Sequence, residues 1–188
     1  MKVRESGMPP QDVWDAFFDV EAILDRLGVD SSVADVVEFG CGYGTFTIPA
    51  ARRVSGIVHT MDIEPAMLEV AARNAADAGI RNVEFTLRDF IAGGTGLPDQ
   101  SVDFGFLFNI LHEQEPVVLL EEAHRNLRDG GRLGIIHWNC DEKTPRGPPL
   151  KIRPGPAQCR DWAIEAGFTS TGEIIDLPPW HYGLVMRR

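Results

Sequence analysis

Val36-Val37-Glu38-Phe39-Gly40-Cys41-Gly42-Tyr43-Gly44-Thr45 is an apolar run that carries an acid and passes into three alternating glycines. It reads as a strand that turns sharply beside a ligand. Glycines two apart remove side chains where a nucleotide-like ligand must approach the backbone, and the free N–H groups of a following helix would face that ligand. A glycine-rich turn by itself also serves plain packing, so its meaning depends on what surrounds it.

Outward from this turn, short apolar runs recur near 35–39, 57–62, 83–87, 102–107 and 131–137, with helical patterns at 44–54, 65–79 and 115–127. Pro65 opens the second of these helices and Gly79 closes it. The alternation predicts an α/β fold, a doubly wound parallel sheet with helices on both faces. Upstream, Val13, Trp14, Phe17, Val20, Ile23, Leu24 and Leu27 recur at steps of three and four before Gly28, predicting one amphipathic helix within an N-terminal segment 1–30. Downstream, Pro145, Gly147, Pro148, Pro149, Pro154, Gly155 and Pro156 predict a stiff loop over most of 139–156. Helix resumes at 157–166, and the runs 173–177 and 182–186, separated by Pro178-Pro179, pair as antiparallel edge strands and bring the sheet to seven.

The 188 residues, 44% of them hydrophobic, suit one domain with one sizeable core. Its parts are the segment 1–30, a core 34–138, the loop 139–156 and a C-terminal piece 157–188. With 18 basic against 28 acidic residues the net charge is −10, which disfavours a nucleic-acid partner. No apolar stretch approaches the ~20 residues of a membrane span, so a soluble, cytoplasmic protein without a membrane partner is expected. Cys41, Cys140 and Cys159 lack CxxC spacing, which indicates buried free thiols and neither a disulfide framework nor a metal site.

Asp62 lies 22 positions beyond Gly40 at the end of the second run, where a carboxylate can accept both hydroxyls of a ribose. Asp89, in Leu87-Arg88-Asp89-Phe90, follows the third run. There an acid can accept from an amino group while the aromatic neighbour flanks a base, or it can cap a helix. The order EFGCGYG, Asp62, Arg88-Asp89-Phe90, then VDFGFLFNILHE and LRDGGRLGIIHW resembles the class I S-adenosylmethionine-dependent methyltransferases. It is most similar to the small-molecule type related to ubiquinone and menaquinone biosynthesis. The motifs cover roughly 34–138 and the topology covers the remainder.

The resemblance implies a Rossmann-like fold, S-adenosyl-L-methionine as cofactor and S-adenosyl-L-homocysteine as its product. It places Gly40, Gly42 and Gly44 along the methionine part, Asp62 at the ribose and Asp89 with Phe90 at the adenine. Asn109 falls near the amino and carboxylate end, and Glu38 matches the acid that steadies the glycine loop. Cys41, Ile63 and Met67 complete the implied cofactor contacts. A dinucleotide oxidoreductase is the rival for such an order, but the spacing is GxGxG and Thr45 stands where a third glycine would be needed. Asp176-Leu177-Pro178-Pro179-Trp180 is similar to the acid-Pro-Pro-aromatic motif of amino-methylating nucleic-acid enzymes, yet it follows the wrong strand and reads as a connector.

For a protonated acceptor, His112 after the fourth strand is the candidate general base, with Glu113 behind it and shaping of the pocket as the other role. His137-Trp138 end the fifth strand at the same edge, with Trp138 able to wall a pocket, whereas His59 and His124 are expected to be uninvolved. The N-terminal helix and the loop 139–156 are left to choose the substrate. Lys143, Arg146, Lys151 and Arg153 make that loop the most basic part of an acidic chain, able to attract an anionic acceptor. The expected partner is a small-molecule methyl acceptor, and a homodimer is open. A silent cofactor-binding or regulatory domain and a protein or RNA methyltransferase are the alternatives.

Overall fold

A computed structural model describes residues 8–141 and 143–188. Residues 1–7 of the expected N-terminal segment, and Glu142 of the expected loop, lie outside the described residues. The apolar series upstream of the glycine turn makes two helices and not the one expected: α1, Gln11–Asp15, and α2, Val20–Leu27. Asp19 is the reason, because its side chain accepts from the Ala22 amide at 3.2 Å and caps a new helix. Around the break Trp14 and Phe17 pack edge-on against Trp138, and Phe18 packs tilted against it. Gly28, at a φ of 72°, ends α2 in the left-handed conformation that a side chain would strain.

The expected alternation follows as β1, Val36–Phe39; α3, Thr47–Arg53; β2, Val58–Asp62; α4, Pro65–Asp77; and β3, Val83–Leu87. Next come a short α5, Phe90–Gly93, at the helix cap that Asp89 offers, then β4, Val102–Phe108; α6, Pro116–Asn126; and β5, Leu127–Trp138. Strand β5 begins earlier than expected because 128–131 bulge against β4: Leu127 faces Val102 and Arg132 faces Phe104. A single 3-10 turn, Leu150–Ile152, interrupts the proline-rich loop before α7, Pro156–Glu165; β6, Thr169–Ser170; β7, Ile175–Leu177; and β8, His181–Arg187.

Strands run in the order β3-β2-β1-β4-β5-β8-β6, with β7 also on β8. The first five are parallel, and β8 lies antiparallel to β5 with Ile135 opposite Leu184. The sheet is the expected doubly wound, mostly parallel Rossmann-like one, with eight strands and not seven. The addition is the two-residue β6 after Gly167, too short to carry an alternating pattern. No helix among the described residues is long and apolar enough to cross a membrane.

Alternate strand residues enter opposite layers, which is why β1 is buried throughout. Val36, Val58, Phe104 and Ile136 meet Leu24, Leu27 and Ala50 of α2 and α3 on one face. Val37, Leu107, Leu133 and Ile135 meet Leu119, Leu120 and Ala163 of α6 and α7 on the other. Since β1 leads outward to β2 while β4 lies on its opposite side, a crevice opens beyond the ends of β1 and β4.

Candidate active site

The glycine turn leaves β1 at that crevice. Gly40 and Gly42 take φ values of 85° and 52°, and the amides of Gly40 and Cys41 donate to the Met61 carbonyl at 2.9 and 3.2 Å. Asp62, only 6% exposed, binds the turn to β2: one carboxylate oxygen accepts from the Gly42 amide at 3.1 Å and the other from the Glu64 amide at 3.0 Å. Beneath it, Glu38 is 3% exposed and accepts from the hydroxyls of Thr47, at the start of α3, and Thr60. Burial pushes the Glu38 carboxyl up to about 7, against the pull of the two threonines and with help from Asp62. The Asp62 carboxyl is raised as well, again by burial, and its two amide donors oppose the shift.

A cavity of about 610 Å³ opens over this turn. Its first half is walled by Glu38, Gly40, Cys41, Gly42, Asp62, Ile63, Asp89, Phe90 and Asn109, nine of the eleven residues expected to contact a cofactor. Asp89 also caps α5 through the Ala92 amide at 3.0 Å, so the capping role and the place on the wall coexist. Phe90 is buried edge-on against Phe39 at 5.5 Å. Asn109 adopts a φ of 58° just past β4, and both atoms of its amide group are buried with no partner among the described residues. An unpaired buried amide is costly, and this one stands on the wall where a ligand with both donors and acceptors can satisfy it.

Gly44 and Met67 do not line the cavity. Gly44 takes a φ of 81°, where a side chain is strained, and a Cβ there would also crowd Ile48 at 3.3 Å, so this glycine serves the turn into α3. Met67 is half-buried in the first turn of α4.

The second half of the cavity is aromatic. Trp14, Phe46, Phe108 and Trp138 wall it, and the strap 145–148 of the proline-rich loop completes the lining, while Met8 and Pro9 lie against the glycine turn, Met8 beside Gly42 and the Pro9 carbonyl accepting from the Tyr43 hydroxyl at 2.7 Å. His112 and Glu113 also stand on the wall. Burial depresses the His112 pKa and Arg153 adds to the effect, opposed by Glu113, so the ring is neutral at neutral pH. Its Nδ1 has no partner among the described residues, and its ring lies edge-on to His137, with centroids 5.6 Å apart. His137 points into the core and is absent from the cavity wall, and burial pushes it down to about 3.

Arg153 is not available as an exposed charge, in contrast to the expectation for the basic loop. It is 9% exposed, and its guanidinium donates to the carbonyls of Asn139 at 2.7 Å, Arg146 at 3.1 Å and Pro148 at 2.8 Å. These bonds pin the strap, because a planar fork can satisfy several carbonyls that a turn leaves open. Arg146 lines the cavity, while Lys143 and Lys151 are exposed away from it. His59 pairs with Glu84 at 2.9 Å and His124 packs on Phe168, both outside the cavity wall. His181 and Tyr182 are buried core residues. Cys41 and Cys159 are buried free thiols, but Cys140 is exposed, against the expectation for all three. Among the described residues no cluster of His, Cys, Asp or Glu could hold a metal ion.

Sequence reasoning passed over Met8, Phe46 and Phe108 as ligand-facing residues, because core positions carry the same apolar pattern. The aromatic cluster Trp14, Phe17 and Phe18 was the one available signal.

The protein family described as "Methyltransferase domain" matches residues 36–131. Over 185 residues the chain is 29% identical to the aklanonic acid methyltransferase DauC of Streptomyces sp. (strain C5), covering 84% of this chain and 83% of that protein. It is 30% identical over 149 residues to the nocamycin O-methyltransferase of Saccharothrix syringae, covering 76% of this chain and 45% of that protein. Among solved structures, a SAM dependent methyltransferase from Aquifex aeolicus is 26% identical with a TM-score of 0.82, covering 95% of this chain and 93% of that one.

Proposed function

This chain belongs to the methyltransferase domain family and is an S-adenosylmethionine-dependent methyltransferase, and on that premise we propose that it methylates a small-molecule acceptor held in the aromatic half of the cavity. The observation that carries this reading is the continuity of the cavity. One half has bare backbone, a buried carboxylate and an unsatisfied amide, and it runs without a wall into a half lined by aromatic rings under the strap. The two relatives above named for aklanonic acid and nocamycin support an acceptor of that size.

The residues of the first half fit the cofactor. Asp62 would accept from the ribose hydroxyls, Asp89 and Phe90 would hold the adenine, and the orphaned Asn109 amide would meet the amino and carboxylate groups. Gly40 and Gly42 leave room for close approach of the backbone. S-Adenosylmethionine supplies a methyl group already activated by its sulfonium, so the protein's work is chiefly alignment and exclusion of water, worth up to ~7–11 kcal/mol. The strap and the rings of Trp14 and Trp138 exclude water from the acceptor. His112, kept neutral by burial, accepts the acceptor's proton at a ring nitrogen when the acceptor is protonated.

Calorimetric titration with S-adenosylhomocysteine, with NAD as the control, tests the first half. Affinity should fall by about 10- to 100-fold in Asp62→Ala, since a hydrogen-bonded charged group is lost. Transfer of labelled methyl to a panel of natural-product acceptors tests the second. His112→Ala should lower the rate and flatten its pH profile, and an unchanged profile removes the base assignment. Product binding without turnover on any acceptor would favour a regulatory domain instead.

A further inference from the structure

Helix α1 is five residues long and none of them is buried. A helix that short has no stability of its own in water, so its place is set by what holds it. On its C-terminal side Phe18 ties the chain to the core, with its ring 5.2 Å from Phe46 and stacked on His181 at 4.5 Å. Apart from the edge-on packing of Trp14 and Phe17 against Trp138, the rest of the hold is polar and comes from the glycine turn and α4. The Tyr43 hydroxyl donates to the Pro9 carbonyl at 2.7 Å, and the Thr45 hydroxyl donates to Asp15 Oδ1 at 2.6 Å. Asn74 of α4 donates to the Gln11 side-chain oxygen at 3.2 Å and to the Tyr43 carbonyl at 2.9 Å, and the Gln11 amide donates to Asp15 Oδ2 at 3.3 Å. These bonds close a ring that runs through the turn, α4 and α1.

The segment held in this way reaches both halves of the cavity. Met8 and Pro9 line it at the turn, where a Cβ on Gly42 would lie 3.1 Å from the Met8 methyl, and Trp14 walls the aromatic half. The anchoring side chains Tyr43 and Thr45 flank Gly44 on the turn itself, and Thr45 is also on the wall. One neutral hydrogen bond shifts a local opening equilibrium by roughly 2- to 12-fold, so a few of them hold the segment without making it permanent. A ligand beside Met8 and Pro9 touches the closed segment and not the open one, and that differential contact shifts the equilibrium toward closure.

We propose that Tyr43 and Thr45 are positioning residues, which hold Met8–Phe18 across the cavity so that a ligand in the cofactor half fixes Trp14 in the acceptor half. The proposal rests on the methyl-transfer reading above and adds an order to it: the wall that meets the acceptor is complete only once the cofactor is in place. The coupling is reciprocal, so closure of the segment strengthens the cofactor in turn.

Amide hydrogen exchange of the intact chain, read over 11–18 with and without saturating S-adenosylhomocysteine, tests the assignment. The amides of Val13 and Trp14 donate to the Pro10 carbonyl at 3.1 and 3.0 Å and report on α1 directly. Their exchange should slow by at least about tenfold on saturation. Met8→Ala removes the ligand-side contact, leaves the anchors in place and should cut that slowing by about threefold or more. Asp15→Ala, at a side chain away from the cavity wall, removes the acceptor of the Thr45 bond and should speed exchange over 11–18 by roughly 2- to 12-fold. Asp15→Asn keeps an oxygen for Thr45 and should return exchange to within about twofold of wild type, and Tyr43→Phe, which loses only the bond to Pro9, should speed it as Asp15→Ala does. Exchange indifferent to S-adenosylhomocysteine, a slowing untouched by Met8→Ala, or wild-type exchange in both Asp15→Ala and Tyr43→Phe would overturn the proposal while leaving methyl transfer intact. Failure of S-adenosylhomocysteine to bind the wild type in calorimetry would overturn both.

Discussion

The loop half of the cavity is made of backbone and two buried carboxylates, whereas the aromatic half is made of ring faces backed by buried imidazoles. The first comes from the ends of neighbouring parallel strands: Gly40 and Gly42 after β1, Asp62 at the end of β2, Asp89 after β3 and Asn109 after β4. The second is assembled from α1, the first turn around Phe46, the strand ends at Phe108 and Trp138, and the strap. The contrast teaches that recognition of a constant ligand sits on the part of the fold that strand topology positions by itself. Recognition of a variable ligand falls to segments that tertiary packing brings in, where sequence can change without disturbing the sheet.

Gly42→Val is the strongest attempt to break the loop half alone. At a φ of 52° any side chain is strained, and its Cβ would approach the Met8 methyl within 3.1 Å. Backbone strain and a filled approach together should weaken S-adenosylhomocysteine by about 100-fold in calorimetry. An affinity within about threefold of wild type would mean that the turn does not form the ligand surface.

Acid unfolding sharpens the contrast through the imidazoles packed behind the other half. The folded pKa of His137, about 3, lies below its ordinary 6.5. Its contribution to stability is therefore complete above about pH 6.5 and is lost as pH falls toward 3, because the unfolded chain then binds the extra proton. His181, also at about 3, adds to this in the same direction. Urea unfolding at about pH 4 and about pH 8 should show the wild type losing stability on acidification. His137→Leu should recover roughly 3 kcal/mol of that loss. An equally steep acid limb in the variant would show that this ring is protonated in the folded state or open to water.

Glu38 has the opposite sign and a smaller expected effect. A carboxyl raised from 4.5 to about 7 binds more protons folded than unfolded. Its contribution is fully present below about pH 4.5 and is lost as pH rises through about 7. Between about pH 5.5 and about pH 8, Glu38→Gln should remove roughly 2 kcal/mol of stability loss on the alkaline side. If urea midpoints of variant and wild type ran parallel across that range, the carboxyl would be titrating normally despite its burial.

Legibility followed the same division. The runs at 83–87 and 102–107, Pro65 at the head of α4 and Gly28 at the foot of α2 were readable because each signal lies in consecutive residues whose own sterics and burial period dictate the element. The N-terminal stripe misled, since a spacing of three and four does not reveal that Asp19 will cap a second helix. Gly44 stands off the cavity wall at a φ of 81°, since the sequence shows that a side chain is absent and not whether a ligand or the backbone's own conformation requires it. Arg153 read as part of a charged loop, and its burial depends on three carbonyls that turn toward it only after the strap has folded.

By itself the sequence determined the doubly wound sheet, the turn at Gly40 to Gly42 and the ring of strand-end residues about it, because local backbone geometry and the order of parallel strands leave few alternatives. The sequence pointed to Trp138, the N-terminal segment and the loop 139–156 as the acceptor side, but the tertiary structure decided how they meet. Trp14, Phe108, Trp138 and the strap meet there through long-range packing that no local pattern encodes, and a side chain that walls a cavity is as apolar as one that fills a core.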